Sequence, residues 1–150
     1  MKRLLIFCVT GTPGCGKTAF ARKLARDRGL AYVSLTELLC KENVYEHYDR
    51  SLQSYVVDEG KVRALLVALA KKAKKEGQGV VIDGHLSHYL PPRYADRCYV
   101  LKCSIAKLKR RLQKRKYSET KIRENLDAEI LDVCLVEALE MGHHVNVVET

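Results

Sequence analysis

The segment TGTPGCGKT at residues 10–18 restricts the possible folds of this chain more than any other stretch. It satisfies the pattern G-x-x-x-x-G-K-[ST] through Gly11, Gly16, Lys17 and Thr18. A short, almost wholly apolar run precedes it, as in a strand buried on both faces of a parallel sheet, and apolar residues at helical spacing follow it. A strand, a glycine-rich loop and a helix in this order curl backbone N–H groups around a phosphate at the helix N-terminus. We therefore name residues 10–18 the phosphate loop.

The rest of the chain alternates between short apolar runs and longer segments with helical periodicity. Asp58, Ser104 and Ser118 each precede a helical segment and can cap it. The last of these helices is predicted to run without interruption from Ser118 to Gly142. The predicted strands cover residues 3–9, 31–35, 79–83, 97–103 and 143–148. Strands that alternate with helices predict an α/β fold with a five-stranded parallel sheet, helices on both faces, and a single domain over residues 1–150.

Composition narrows the class of protein. The 150 residues are 47% hydrophobic and 30% charged, which is typical of one soluble domain. The apolar runs are far shorter than the roughly 20 residues that cross a bilayer, and no signal-peptide cleavage site follows the first one, so we expect an intracellular protein. The six cysteines are scattered without a C-x-x-C pair. Their spacing argues against a zinc site and favours buried free thiols in a reducing compartment.

The net charge of +9 is concentrated in the segment KLKRRLQKRK at 107–116, where seven residues are Lys or Arg. A second basic group at 71–75 fits a solvated helix face equally well. Clusters of this kind suit partners that carry phosphates, either a nucleotide or RNA. Arg111 and Arg115 lie one helical turn apart, so both can face the phosphate loop, contact phosphate oxygens and stack on a base. Alternatively, they are basic residues that favour the C-terminus of a helix.

Phosphoryl transfer requires groups that hold the phosphates, the metal ion and the acceptor. Lys17 is expected to reach the β- and γ-phosphates of ATP, and the Thr18 hydroxyl to bind Mg²⁺. Asp83 ends a predicted strand and is the expected second metal anchor, in part through water. His85, two residues later, can orient or deprotonate a hydroxyl or a water beside the γ-phosphate. A structural role, or none, is predicted for the other histidines of this half of the chain, His88, His143 and His144.

The segment between the second predicted strand and the Asp58 helix suggests a cover for a second ligand. It is polar, begins with helical periodicity and is long enough to close over another nucleotide. The chain has no N-K-x-D segment that would select guanine and no long insertion of the switch type. The sequence therefore favours a small ATP user in which residues 35–58, the flap, close over the acceptor.

Several segments together are similar to those of one family. They are TGTPGCGKT, LTELL, VYEHYD, VVDEGKV, GVVIDGH, LPPRYAD, YVLKCS and RLQKRKYSETKIRENLDAEI. In these the chain resembles, over essentially its whole length, the small atypical adenylate kinases: adenylate kinase isoenzyme six of animals and its archaeal and yeast relatives. The resemblance implies the nucleoside-monophosphate-kinase form of the phosphate-loop fold, with a short lid at about residues 111–120. It also implies conversion of ATP and AMP to two ADP with Mg²⁺ as cofactor, and accompanying ATP hydrolysis.

The resemblance also assigns residues to each part of the site. Lys17, Asp83, His85 and Arg115 would be catalytic, and Arg115 would stack on the adenine of ATP. The residues that would bind ATP are Gly11, Thr12, Pro13, Gly14, Cys15, Gly16, Lys17, Thr18, Ala19, Arg111 and Arg115. The residues that would bind AMP are Thr36, Glu37, Leu38, Lys41, Tyr45, Val57, Asp58 and His85. The metal would be held by Thr18 and Asp83.

Two positions depart from the pattern of the family. Cys40 stands where relatives often carry a basic residue that faces the monophosphate, so Lys41 would have to take that role. Lys116 replaces a glycine of the lid, which predicts a stiffer lid. Both differences concern the moving parts that would close over the nucleotides.

Two functions remain open at the level of sequence. The first is an adenylate kinase with ATPase activity, or a kinase of another nucleoside monophosphate. The second is an ATP-switched assembly factor with little kinase activity that acts in maturation of the small ribosomal subunit and its 16S or 18S rRNA. The partners that the resemblance implies are ATP, ADP, AMP, the universal small-subunit protein eleven of the platform, and rRNA. We expect a cytoplasmic protein, nuclear in a eukaryote, that is a monomer or weak dimer and binds no membrane.

Overall fold

The computed structural model describes residues 4–150, and its strands form two separate sheets. The strands are β1 (Ile6–Gly11), β2 (Ala31–Ser34), β3 (His47–Asp49), β4 (Ser54–Val56), β5 (Val80–Asp83), β6 (Arg97–Lys102) and β7 (Val145–Glu149). The larger sheet has the order β2, β5, β1, β6, β7, and all its pairings are parallel. β1 lies at its centre with every residue buried, as an apolar strand covered on both faces should be. The predicted five-stranded parallel sheet is confirmed.

Helices cover both faces of the larger sheet. They are α1 (Lys17–Arg28), α2 (Leu35–Lys41), α3 (Glu59–Glu76), α4 (Ile105–Lys114), α5 (Glu119–Ile130) and α6 (Val133–Glu140), with short 3-10 turns at Ser87–Tyr89 and Pro92–Tyr94. One hydrophobic core packs α3 and α6 against the sheet, and a second packs α1, α4 and α5 against the opposite face. Within residues 4–150, no helix combines the length and the apolar character needed to cross a bilayer.

The helices begin where the sequence places their caps. The side chains of Asp58, Ser104 and Ser118 each accept a hydrogen bond from the backbone N–H three residues later. Gly29 and Gly77 end α1 and α3 in the left-handed conformation that glycine adopts without steric cost. These local signals depend only on neighbouring residues, so the sequence alone was sufficient to place them.

The prediction of one continuous helix over residues 118–142 is wrong. α5 and α6 are separated by a break at Asp132, whose backbone adopts a left-handed conformation with φ of 53°. The Lys102 ammonium lies 2.5 Å from Asp132 Oδ1 and donates to the backbone oxygen of Glu129 at 3.1 Å, so it stabilises the break. Aspartate is among the few residues other than glycine that tolerate this conformation. The break therefore has no glycine or proline to mark it in the sequence.

The flap consists of α2 followed by an antiparallel hairpin of β3 and β4. Aromatic rings hold it together: Tyr55 packs against Tyr45 at 4.7 Å and against Tyr48 at 5.1 Å between ring centroids. The helical start of this segment was predicted, but the hairpin was not, because strands of three residues are too short to show an alternating pattern.

Candidate nucleotide-binding site

The phosphate loop joins β1 to α1 and leaves the N-terminus of α1 open to an anion. Gly16 precedes α1 with φ of 88°, and no side chain of the described residues caps that helix. The N–H groups of its first turn are therefore available to an anion, which the helix dipole also favours. Gly14 has φ of 97°, and a Cβ there would lie 2.8 Å from Leu108 Cδ1. A larger residue at Gly14 would push the loop out of this conformation.

Side chains from the C-terminal half of the chain hold the phosphate loop from behind. The Arg111 guanidinium donates to the backbone oxygen of Gly14 at 3.2 Å. The Thr150 hydroxyl donates to the backbone oxygen of Cys15 at 3.0 Å. Arg111, predicted to bind ATP, thus contacts the backbone of the loop itself.

A buried carboxylate binds the other side of the loop. Glu129 Oε1 accepts from the Thr12 hydroxyl at 3.0 Å and from Lys102 Nζ at 2.8 Å. Glu129 Oε2 accepts from the Cys103 backbone N–H at 2.9 Å. One side chain of α5 therefore connects the phosphate loop to the end of β6. Glu129 was not predicted, because an acid within a polar helix gives no signal that distinguishes it from exposed acids.

A cavity of about 990 Å³ extends from the phosphate loop to the flap. The loop side of its wall includes Thr12, Pro13, Gly14, Gly16, Lys17, Thr18 and Ala19, and the remaining wall includes Asp83, His85 and Arg115. Gly11, Cys15 and Arg111 are not part of the wall. A second cavity of about 990 Å³ lies at the opposite ends of the strands, near Gly79, and contains no residue of the phosphate loop.

The flap contributes part of the predicted acceptor site. The structure brings these predicted AMP-binding residues to the cavity wall: Thr36, Glu37, Tyr45, Val57 and His85. It does not bring the following ones there: Leu38, Lys41 and Asp58. The Asp58 carboxylate instead caps α3 by accepting from the Lys61 backbone N–H at 2.9 Å. Cys40 does line the cavity, so a thiol occupies the wall where the family pattern leads one to expect a basic side chain.

The two predicted metal ligands lie side by side at the carboxyl end of β5. The Thr18 hydroxyl donates to Asp83 Oδ2 at 2.9 Å, and the Tyr32 hydroxyl donates to the same oxygen at 2.6 Å. Burial, followed by this contact with Asp83, raises the pKa of Tyr32, which keeps it a hydroxyl donor. A hydroxyl and a carboxylate next to a phosphate site are oxygen ligands of the kind that Mg²⁺ prefers, so the pair fits this ion. Tyr32 was not predicted, because its contact with Asp83 crosses from β2 to β5.

The charge states of Lys17 and His85 are set by their surroundings. Burial lowers the pKa of Lys17; Asp83 opposes this effect, and Arg115 adds to it. His85 is an exposed residue that lines the cavity. Partial desolvation within the cavity first, and then the charge of Lys17, lower the pKa of His85 below its usual range. At neutral pH the His85 ring is therefore uncharged, and one of its nitrogens can accept a proton or a hydrogen bond.

A buried histidine supports the segment that carries His85. His88 is fully buried, with Nδ1 2.8 Å from Thr10 Oγ1 and Nε2 3.0 Å from Glu137 Oε1. The Thr10 hydroxyl also lies 3.1 Å from the backbone oxygen of His85. His143 is buried, and its Nε2 lies 2.8 Å from the backbone oxygen of His88. The network fixes the segment after β5 against the end of β1. Its only sequence signal was the spacing of two histidines three residues apart.

The lid and the flap contact each other over the cavity. The Ser118 backbone N–H donates to Gln53 Oε1 at 2.6 Å, and Lys121 Nζ donates to the Gln53 backbone oxygen at 2.8 Å. Lys116, which replaces a glycine of the family pattern, adopts a left-handed conformation with φ of 57°. A residue with a Cβ pays roughly 1–2 kcal/mol in this conformation, so the turn of the lid is kept at some cost in stability. The two hydrogen bonds to Gln53 thus join the lid to the flap above the cavity.

Comparison with known proteins identifies the family. A family model described as an AAA domain matches residues 7–132. A protein of Methanocaldococcus jannaschii is 41% identical over 131 residues, which cover 87% of this chain and 70% of the relative. A protein of Pyrococcus furiosus is 41% identical over 147 residues, which cover 97% of this chain and 73% of the relative. Both relatives carry the name "Putative adenylate kinase". This chain belongs to their adenylate kinase-like family.

Solved structures of other kinases share the fold of this adenylate kinase-like chain. A shikimate kinase from Bacteroides thetaiotaomicron superposes with a TM-score of 0.61 at 18% identity, covering 98% of this chain and 86% of the other. A gluconokinase from Sinorhizobium meliloti 1021 superposes with a TM-score of 0.60 at 16% identity, covering 99% and 84%. At these identities the similarity establishes the fold alone. The predicted phosphate-loop kinase fold is confirmed.

Proposed function

We propose that this chain is an adenylate kinase that transfers the γ-phosphate of ATP to AMP and forms two ADP. The observation that carries the proposal is the cavity, which joins an uncapped helix N-terminus and the Thr18–Asp83 pair on one side to the flap on the other. A phosphate donor can lie on the loop, and a second small nucleotide can lie under the flap. The names of the archaeal relatives support AMP as the acceptor.

The residues of this chain would act by position and charge, without a covalent intermediate. The backbone N–H groups of the loop and the Lys17 ammonium would hold the β- and γ-phosphates, and Arg115 would add positive charge from the lid. Thr18 and Asp83 would hold Mg²⁺, which neutralises phosphate charge when bound. The contacts of Gln53 with the lid would keep the cavity closed during transfer and exclude water.

We propose that ATP hydrolysis accompanies phosphoryl transfer. When no monophosphate occupies the flap side, water is the remaining acceptor. The neutral ring of His85 faces the cavity and can accept a hydrogen bond from that water. His85 would then orient the attacking water. AMP would depend less on His85, because the flap would hold AMP too.

A second candidate function is that of an ATP-switched assembly factor of the small ribosomal subunit. The exposed basic residues of α4 favour it, because they present positive charge outside the cavity, where a phosphate backbone can bind: Lys107, Lys109, Arg110 and Lys114. The partners would be rRNA and the universal small-subunit protein eleven, in the cytoplasm or, in a eukaryote, in the nucleus. The protein would act as a monomer or weak dimer.

One assay distinguishes the two functions. ADP formation from Mg·ATP is measured alone and with AMP, CMP, GMP or UMP in turn. An adenylate kinase gives strong stimulation by AMP only, with about two ADP formed per AMP consumed. AMP-independent hydrolysis that rises when the ribosomal protein is added would instead support the assembly factor. Stimulation by another monophosphate would mean that the chain is a kinase whose acceptor is that nucleotide and not AMP.

We expect His85→Ala to reduce ATP hydrolysis roughly tenfold more than AMP phosphorylation, because the flap also positions AMP, whereas the water would be oriented by His85. Both rates are measured on one preparation by following ADP with and without AMP. His144→Ala, at an exposed position outside the cavity wall, is the matched control and should change neither rate. An equal loss of both rates in His85→Ala would contradict a role specific to water.

A further inference from the structure

Two cysteine thiols face each other behind the phosphate loop. The sulfur of Cys15, within the loop, lies 3.0 Å from the sulfur of Cys103, which follows β6. Unbonded carbon atoms pack best at about 3.5–4 Å, and sulfur is larger than carbon, so this is a very close approach. Both residues are buried, Cys15 completely and Cys103 with 6% of its surface exposed. The sequence predicted buried free thiols, and the family resemblance placed Cys15 among the ATP-binding residues.

A metal ion is a poor occupant of this position. Glu129 is the third potential ligand beside the two thiols. Its carboxylate is already used by donors: Oε1 accepts from Thr12 and Lys102, and Oε2 from the Cys103 backbone N–H. The Lys102 ammonium, 2.8 Å from Oε1, would also repel a cation. The surroundings therefore suit two neutral thiols better than a metal site.

We propose that Cys15 and Cys103 form a reversible intramolecular disulfide that ties the phosphate loop to the end of β6, with a peroxide as the oxidant. A disulfide requires sulfurs about 2.05 Å apart, so they need to approach each other by roughly 1 Å. The proposal requires rotation of the two side chains to supply that movement. The Cys15 side chain is absent from the cavity wall, so the bond would form on the side of the loop that faces away from the nucleotide.

The reaction balances with one peroxide for each disulfide. The sulfur of one thiol, after losing its proton, attacks a peroxide oxygen; the O–O bond breaks, one water leaves, and a sulfenic acid forms. The sulfur of the second thiol attacks this sulfenic sulfur, the S–O bond breaks, and a second water leaves. Two thiols are oxidised by two electrons in total, and hydrogen peroxide is reduced to two waters. The Cys15 thiol lies 3.4 Å from Glu129 Oε2, so an acceptor for its proton is in place.

The surroundings also set the rate of this reaction. Burial, followed by the contacts with Cys103 and the charge of Glu129, raises the pKa of the Cys15 thiol. A buried thiol of raised pKa reacts slowly at neutral pH, and faster as the pH rises. The cross-link would therefore form during prolonged oxidative exposure and not as a rapid response.

The bond would close a long loop of the chain. Cys15 and Cys103 are 88 residues apart. A disulfide that closes a loop of this length removes much of the freedom of the unfolded chain. For a chain of this size, we expect the Tm of the oxidised protein to rise by roughly 10 °C or more.

The test uses the full chain with Cys40→Ser, which removes an exposed thiol that could link two molecules. The protein is incubated with hydrogen peroxide at pH 8.5, and its intact mass, non-reducing peptide map and Tm are measured before and after addition of a reductant. We expect a loss of two hydrogen atoms, a peptide in which Cys15 is linked to Cys103, and a Tm increase that the reductant reverses.

The matched control is the same protein with Cys103→Ser, which should show neither the linked peptide nor the increase in Tm. The peptide map of the parent protein decides the proposal even if that control folds poorly. A link between Cys8 and Cys98, which are paired across β1 and β6, formed in place of the Cys15–Cys103 link would overturn it. Oxidation to sulfinic acid without any Cys15–Cys103 link would overturn it as well.

Discussion

Replacement of Lys17 by Ala is expected to lower kcat/KM for Mg·ATP by about 10³-fold, in the presence and in the absence of AMP. Lys17 is the first residue of α1 and lines the cavity, and no other lysine lines the loop side of the cavity in the part of the chain that the structure describes. A single preorganised donor contributes about 10²–10³ to a rate, and a charged one at the transferring phosphate contributes at the upper end. This loss corresponds to about 4 kcal/mol of transition-state stabilisation.

The measurement is a coupled assay of ADP formation, together with nucleotide binding by calorimetry. Lys23→Ala is the matched control, since Lys23 lies on the exposed side of the same helix and pairs with Asp27 at i+4. Its activity should stay near that of the parent protein, because exposed ion pairs of this kind contribute little. If Lys17→Ala kept a tenth or more of the parent activity, the assignment of the phosphate loop as the ATP site would be wrong.

Replacement of Asp83 by Asn is expected to lower Mg²⁺-dependent turnover by about 10²–10³-fold. The amide keeps the size of the carboxylate and can still accept a hydrogen bond from Thr18 or Tyr32, but it has no negative charge to hold a divalent ion. The Mg²⁺ concentration needed for half-maximal activity should rise at least tenfold. Thermal unfolding should change little, because the shape of the buried site is preserved.

A magnesium titration of activity, compared with that of Asp27→Asn, tests this expectation. Asp27 is exposed and is not part of the cavity wall, so its amide variant should follow the parent curve. An Asp83→Asn protein with normal turnover and an unchanged magnesium requirement would exclude Asp83 as a metal anchor. Reduced activity with an unchanged magnesium requirement would likewise point to a role for Asp83 in packing alone.

The parts of the molecule that the sequence predicted correctly depend on neighbouring residues. The phosphate loop, the caps of α3, α4 and α5 and the five parallel strands each follow from a pattern contained within one segment. The flap was likewise inferred from the length and polarity of one segment, and its closure over an acceptor stays a prediction. These features do not require knowledge of which segments meet in space.

The parts that the sequence did not predict depend on contacts between distant residues. Glu129 binds Thr12 across 117 positions of the chain, and Tyr32 binds Asp83 across 51. The break at Asp132 is stabilised by Lys102, which lies in β6, far away in sequence. Because the local sequence contains no trace of that contact, the apolar periodicity of α5 and α6 predicted a single helix. In each case the residue type is ordinary for its local segment, and only the fold gives it a partner.

Contacts at the two ends of α5 allow this helix to rotate about one end. Its carboxyl end is held by Glu129, and its amino end touches the flap through Gln53. With 12 residues it is about 18 Å long. If the Gln53 contacts break while Glu129 stays bound, a rotation of about 15° around the fixed end moves the free end by about 5 Å. A small rotation of one helix would thus admit a nucleotide while the phosphate loop stays in place.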